Sequence, residues 1–92
     1  MIANFSDKTL KRLYERGDRS GVRPDMVAKV ERILQRLDEI AAPEQMALPG
    51  YRLHQLSGDL KGFWSVTVNG NWRVIFRFDE GHVRDVRLLD YY

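Results

Sequence analysis

Cysteine is absent from the 92-residue chain, so neither disulfides nor thiolate zinc centres hold it together, and the fold depends on packing alone. Proline is scarce, and Pro24, Pro43 and Pro49 mark places where an element starts or stops. No apolar run reaches the roughly 18 residues of a membrane span. Met1 to Phe5 passes straight into charged residues without the apolar stretch of a signal peptide, so no membrane association and a cytoplasmic location are expected. Net charge is also small: 15 Lys and Arg against 13 Asp and Glu leave +2, too little for bulk attraction to carry an argument. The two histidines, His54 and His82, are far apart and lack a convergent carboxylate pattern, which argues against a metal site. Gly58, Gly62 and Gly70 do not have the spacing of a phosphate-cradling loop, and Ser57 and Ser65 lack a nucleophile-elbow context. No cofactor is indicated.

What remains is an ordinary globular composition, 43% apolar and 30% charged, in a chain long enough for one core, so residues 1–92 are expected to form a single domain. Ile2 to Phe5 suits a short strand, and Ser6-Asp7 supplies oxygens to cap a helix over about 7–16, with Leu10, Leu13 and Tyr14 at helical spacing and Gly17 as the stop. Pro24 opens a second helix, whose stripe of Val27, Val30, Ile33, Leu34, Leu37 and Ile40 runs toward Pro43. From Tyr51 onward β-branched and aromatic residues predict strands over 51–56, 63–68, 72–78 and 83–89, with turns at Asn69-Gly70-Asn71 and Asp79-Glu80-Gly81. The expected class is therefore α+β: two N-terminal helices packed on one face of a twisted, mainly antiparallel sheet of four to five strands.

Alternation along these strands sorts their side chains between two faces. Trp64, Val66 and Val68 align with Trp72, Val74, Phe76 and Phe78 to make an apolar face that the helices must cover, joined by Leu53, Val86 and Leu88. The opposite face is expected to be open and to carry Arg52, His54, Ser65, Thr67, Arg73, Arg77, Arg87 and Tyr91. Of the six basic residues after Ala47, five are Arg (Arg52, Arg73, Arg77, Arg84, Arg87) and one is Lys61. Arginine's planar fork of donors suits phosphate oxygens, although solvated strands also carry it often.

Such a face has the groups that cleave RNA without a metal. Attack by a ribose 2′-hydroxyl needs a base, cations on the nonbridging oxygens and an acid for the leaving oxygen. His54 is the natural proton carrier, and Arg73 the better candidate for stabilising phosphate charge, with Lys61 or Arg77 assisting. Asp90 and Tyr91 are placed to orient His54 or contact substrate, and an aromatic ring there can stack on a base. On periodicity alone a lone strand histidine reads rather as a surface or hydrogen-bonded structural residue, and Trp64 and Trp72 are assigned to the core.

The run from Tyr51 to Val66, with Leu53-His54-Gln55-Leu56-Ser57-Gly58 followed by Gly62-Phe63-Trp64-Ser65, resembles the HigB-like toxins of the RelE superfamily. The likeness continues through Val68-Asn69-Gly70-Asn71-Trp72-Arg73-Val74-Ile75-Phe76 and into Asp90-Tyr91, so that it spans the chain. It implies a RelE-like fold and cleavage of mRNA in the ribosomal decoding site, with His54, Arg73, Asp90, Tyr91 and the terminal Tyr92 at catalytic positions. Arg52, Lys61, Arg77 and Arg87 would then hold RNA. The resemblance also implies a cognate helix-turn-helix, HigA-like antitoxin, with DNA touched only through it. Two positions depart from the family pattern: Ser57 stands where a lysine is common, and Tyr92 where the family ends in histidine. A phenol, with an ordinary pKa of about 10, is a poor substitute for imidazole as a base. A cleavage-impaired variant therefore stays open, as does a noncatalytic toxin on the same scaffold, such as a topoisomerase inhibitor.

Overall fold

The computed structural model describes residues 1–91; Tyr92, expected at a catalytic position, lies outside the described residues. Helix α1 spans Lys8–Arg16 and α2 spans Pro24–Leu37. Asp7 caps α1, its Oδ1 accepting from Thr9 N at 2.9 Å and Leu10 N at 3.3 Å, and Gly17 closes it in the left-handed region at φ 69°. α2 stops at Leu37, short of the expected run through Ile40. Asp38 still has helical dihedrals, but Glu39 N bonds back three residues to Arg36 O, tightening the last turn, and Asp38 Oδ1 accepts from Ile2 N at 3.1 Å. Ile40 is nevertheless buried, and a short 3₁₀ turn at Pro43–Met46 buries Met46 beside it.

The sheet has four strands in the order β1 (His54–Gln55), β2 (Trp64–Asn69), β3 (Trp72–Asp79) and β4 (His82–Asp90), each antiparallel to the next. The two-residue Glu80-Gly81 turn joins β3 to β4 with both residues at positive φ. Ile2 and Phe5 bridge in parallel to Val83 and Val86, extending the sheet beyond β4. The first expected strand, 51–56, is reduced to two residues. Arg52 sits at φ 49°, outside extended geometry, so the alternation that linked it to His54 is interrupted.

β4 carries a bulge. Ile75 pairs with Arg87 and Arg77 with Arg84, so two residues of β4, Asp85 and Val86, stand opposite Phe76. Asp85 adopts φ 54°, and Asn4 holds it from across the molecule: Asn4 Nδ2 donates to Asp85 Oδ1 at 2.8 Å while Asp85 N donates to Asn4 Oδ1 at 3.2 Å. The extra residue lets Val83 and Val86 both face the core although they are three apart, and it sends Arg84 and Arg87 together to the other side.

The core lies between the helices and one sheet face. Leu10, Met26, Val30, Ile33 and Leu37 of the helices meet Val66, Val74, Phe76, Val83 and Val86, all essentially without solvent contact. At about 25 cal/mol per Å² of apolar surface, each such side chain contributes about 1.5–3 kcal/mol. Asp7 also reaches the sheet, where its Oδ2 accepts from Leu88 N at 3.0 Å. One carboxylate thus serves both the start of α1 and an otherwise unpaired edge of β4.

Candidate functional site

Cross-strand partners share a face, so the register defines the outer surface row by row. One row runs His54, Ser65, Ile75, Arg87; a second runs Thr67, Arg73, Leu89; and β3 and β4 add Arg77 opposite Arg84. This surface departs from the flat, solvated face that alternation implies. Ser65 and Ile75 at its centre are both 0% exposed, covered by the longer side chains around them.

His54 stands exposed at the sheet edge, and its Nδ1 lies 3.0 Å from the carbonyl oxygen of Arg52. A carbonyl only accepts, so Nδ1 carries a proton and donates, and the lone pair of the neutral ring is on Nε2. The left-handed kink at Arg52 aims that carbonyl at the imidazole. Arg52 itself is exposed, and it serves the histidine through this backbone contact.

Arg73 is partly buried. Its Nη1 donates to Gly70 O at 2.9 Å, which fixes the guanidinium over the turn, while its Nε is buried without a hydrogen-bond partner. His54 and Arg73 are two strands and two residues apart, about 12 Å between Cα atoms at ordinary sheet spacings. Tyr91, partly buried, is anchored by its N–H to Asn71 O at 2.8 Å. It follows Leu89, the partner of Arg73, by two residues, and is therefore the diagonal neighbour of Arg73 at roughly 7–8 Å.

Asp90 is not brought to His54. It pairs with Trp72 at the end of β4, on the side shared with Val74 and Leu88, while β1 lies at the opposite edge of the sheet. Lys61 is exposed just after a 3₁₀ turn at Gly58–Leu60, close in sequence to the β2 end of the face. Arg87 shares the His54 row, and no carboxylate among the described residues lies within salt-bridge distance of it. Arg77 packs its guanidinium over the Phe63 ring, 4.8 Å from the centroid.

Arg84 escapes simple alternation, because only the bulge turns it to this face. The distant cue is Asn4, whose pairing with Asp85 has no local signature. Among the described residues the buried side-chain polar atoms without partners are Ser65 Oγ, Thr67 Oγ1, Arg73 Nε and Arg84 Nε, and all four belong to this one surface. Buried polar groups are normally satisfied, so four unpaired ones under a single face set that face apart from the rest of the molecule.

Two helices against an antiparallel sheet with a cationic outer face define a RelE-like domain. The chain superposes on YoeB in the YoeB–YefM complex from Staphylococcus aureus with TM-score 0.65 and 17% identity, covering 100% of this chain and 99% of that one. It also superposes on a point mutant of YafQ from E. coli with TM-score 0.53 and 20% identity, covering 94% and 83%. Residues 3–92 match the family described as the RelE-like toxin of the type II toxin-antitoxin system HigB, and the chain belongs to that family. It is 38% identical over 92 residues to Endoribonuclease HigB of Proteus vulgaris, covering 100% of both chains. With Toxin HigB-1 of Vibrio cholerae it shares 35% over 83 residues, 88% of this chain and 87% of that one.

Proposed function

We propose that this toxin is an endoribonuclease that cuts messenger RNA on the ribosome by metal-independent attack of a 2′-hydroxyl. The carrying observation is a single sheet face that holds both an exposed imidazole with its lone pair on Nε2 and a half-buried guanidinium with an unpaired donor. His54 Nε2 removes the 2′-hydroxyl proton, and the oxygen attacks the adjacent phosphorus. The bond to the 5′-oxygen breaks, leaving a 2′,3′-cyclic phosphate. Arg73 donates to the nonbridging oxygens as charge develops there. The phenol of Tyr91, diagonal to Arg73, supplies the proton to the leaving oxygen or stacks on the neighbouring base, a role that Tyr92 shares from the terminus. Asp90 takes no proton; paired with Trp72, it holds the strand end that carries Tyr91. Arg52, Lys61, Arg77 and Arg87 surround the path of the strand.

The relative named as an endoribonuclease supports the reaction class, and the toxin-antitoxin complexes among the structural relatives support an antitoxin partner. We assign that partner as a helix-turn-helix protein through which alone the toxin meets DNA. The toxin works in the cytoplasm beside its target; no helix among the described residues is long and apolar enough to cross a membrane.

Purified protein added to translating ribosomes is expected to yield discrete mRNA ends by primer extension. His54→Ala and Arg73→Ala should each lose cleavage by about 10²–10⁴-fold, the usual worth of such groups, with unchanged far-UV circular dichroism. Full cutting by both folded variants removes the assigned site. DNA breaks without RNA ends would favour a topoisomerase-directed toxin.

A further inference from the structure

The end of the outer face nearest the Glu80-Gly81 turn holds a cluster that the cleavage chemistry does not use. Arg77 and Arg84 are direct cross-strand partners, a placement that puts like charges side by side and is unfavourable in a sheet without a compensating anion. Each has one carboxylate at the outer edge of ion-pair distance and none at hydrogen-bond length: Asp85 Oδ2 is 3.9 Å from Arg77 Nε and Asp79 Oδ2 is 4.0 Å from Arg84 Nε. Arg84 Nε is buried and unpartnered. The Arg77 guanidinium lies over the Phe63 ring, 4.8 Å from its centroid, and a guanidinium plane is a surface on which nucleobases stack. The bulge at Asp85, clamped by Asn4, turns Arg84 into this position when strict alternation would not put it beside Arg87 on one face.

We infer that Phe63, Arg77 and Arg84 form a second nucleotide subsite. It takes a phosphodiester and base of single-stranded RNA flanking the one that is cut. Arg84 grips the phosphate with its outer Nη donors, since its Nε is closed to solvent while the side chain is 43% exposed, and Arg77, backed by Phe63, stacks on the base. Arg77 lies four residues from Arg73 along β3, about 13 Å, so the two arginines hold separate phosphates of one strand. A like-charge pair whose carboxylates stand at ion-pair distance without hydrogen-bonding it leaves guanidinium donors for an external anion. This inference rests on the reading of the chain as an RNA-cutting toxin and names how that site extends along its substrate.

The test uses the intact protein and ribosomes programmed with an mRNA whose cleavage position carries a 2′-O-methyl block, with binding measured across salt concentrations. Arg84→Gln should weaken binding roughly fivefold at 0.1 M salt and lower the slope of log affinity against log salt by about 0.7, the loss of one single-strand phosphate contact. On unblocked mRNA it should raise KM far more than it lowers kcat. Arg84→Lys should retain the salt slope, and Asp79→Asn should tighten binding by removing the competing carboxylate. A merely structural Arg84–Asp79 pair would instead make Asp79→Asn bind no better and melt lower. Wild-type cutting with affinity, slope and KM indifferent to Arg84→Gln overturns the subsite alone. Wild-type protein that neither binds nor cuts overturns the parent reading and the subsite with it.

Discussion

Replacing Asp7 by Ala removes three hydrogen bonds with one carboxylate: the two that cap α1, at 2.9 and 3.3 Å, and the 3.0 Å bond from Leu88 N at the edge of β4. Loss of an N-cap costs about 1 kcal/mol. Leaving the Leu88 N–H without its charged acceptor adds about 1.5–2 kcal/mol, because that amide is only partly open to water. The total, about 3 kcal/mol, is a large share of the roughly 5–14 kcal/mol expected for a domain of this length. It corresponds to a fall in Tm of roughly 12–24 °C. Calorimetry and urea unfolding measure the loss, and amide exchange at Leu88 locates it. Asp7→Asn keeps one acceptor and should lose about half as much. A melting temperature within about 2 °C of the parent, with Leu88 exchange unchanged, would show that these bonds do not stabilise the fold as their geometry indicates.

Ile75, fully buried yet on the outer face, should cost about 2–4 kcal/mol when changed to Ala, read as a lower urea midpoint at constant slope. Ile75→Val should cost about 1 kcal/mol. Tyr92→His restores the imidazole with which the family ends, and is expected to raise both growth inhibition on induction and the yield of mRNA ends. No gain in either would mean that His54 already supplies the proton transfer that limits the rate.

Much of the fold was legible because its elements follow their own periods. The helical stripe Val27 to Leu37 and the alternation Trp72 to Phe78 appear in the structure as read, and Asp7 and Gly17 bound α1 as their side chains dictate. The misreadings arose where distant contacts decide local geometry. At Glu39 α2 tightens into a 3₁₀-type turn while Asp38 Oδ1 accepts from Ile2 N, a distant contact that local pattern cannot foresee, so the stripe that runs on to Ile40 overstates α2. Arg52 leaves the extended region beside a strand whose composition looks regular. Ser65 reads as solvent-facing by parity, yet it is fully buried. For the site, parity sufficed to put His54, Arg73 and Tyr91 on one side. It could not reveal the Nδ1 contact that orients the imidazole, and the strand order separates Asp90 from the histidine it was expected to orient. Arg84 stayed hidden because its direction depends on Asn4, 81 residues before Asp85 in the chain.

The extra residue in β4 gives that strand one position at which its length can change without inverting it. Removing the codon for Asp85 would leave Val86 alone opposite Phe76, so the two valines would stay toward the helices and the two arginines toward the outside; what would go is the hold of Asn4 on the bulge. A codon lost from the regular part of the strand meets no such slack and would turn over every side chain on one side of the lesion.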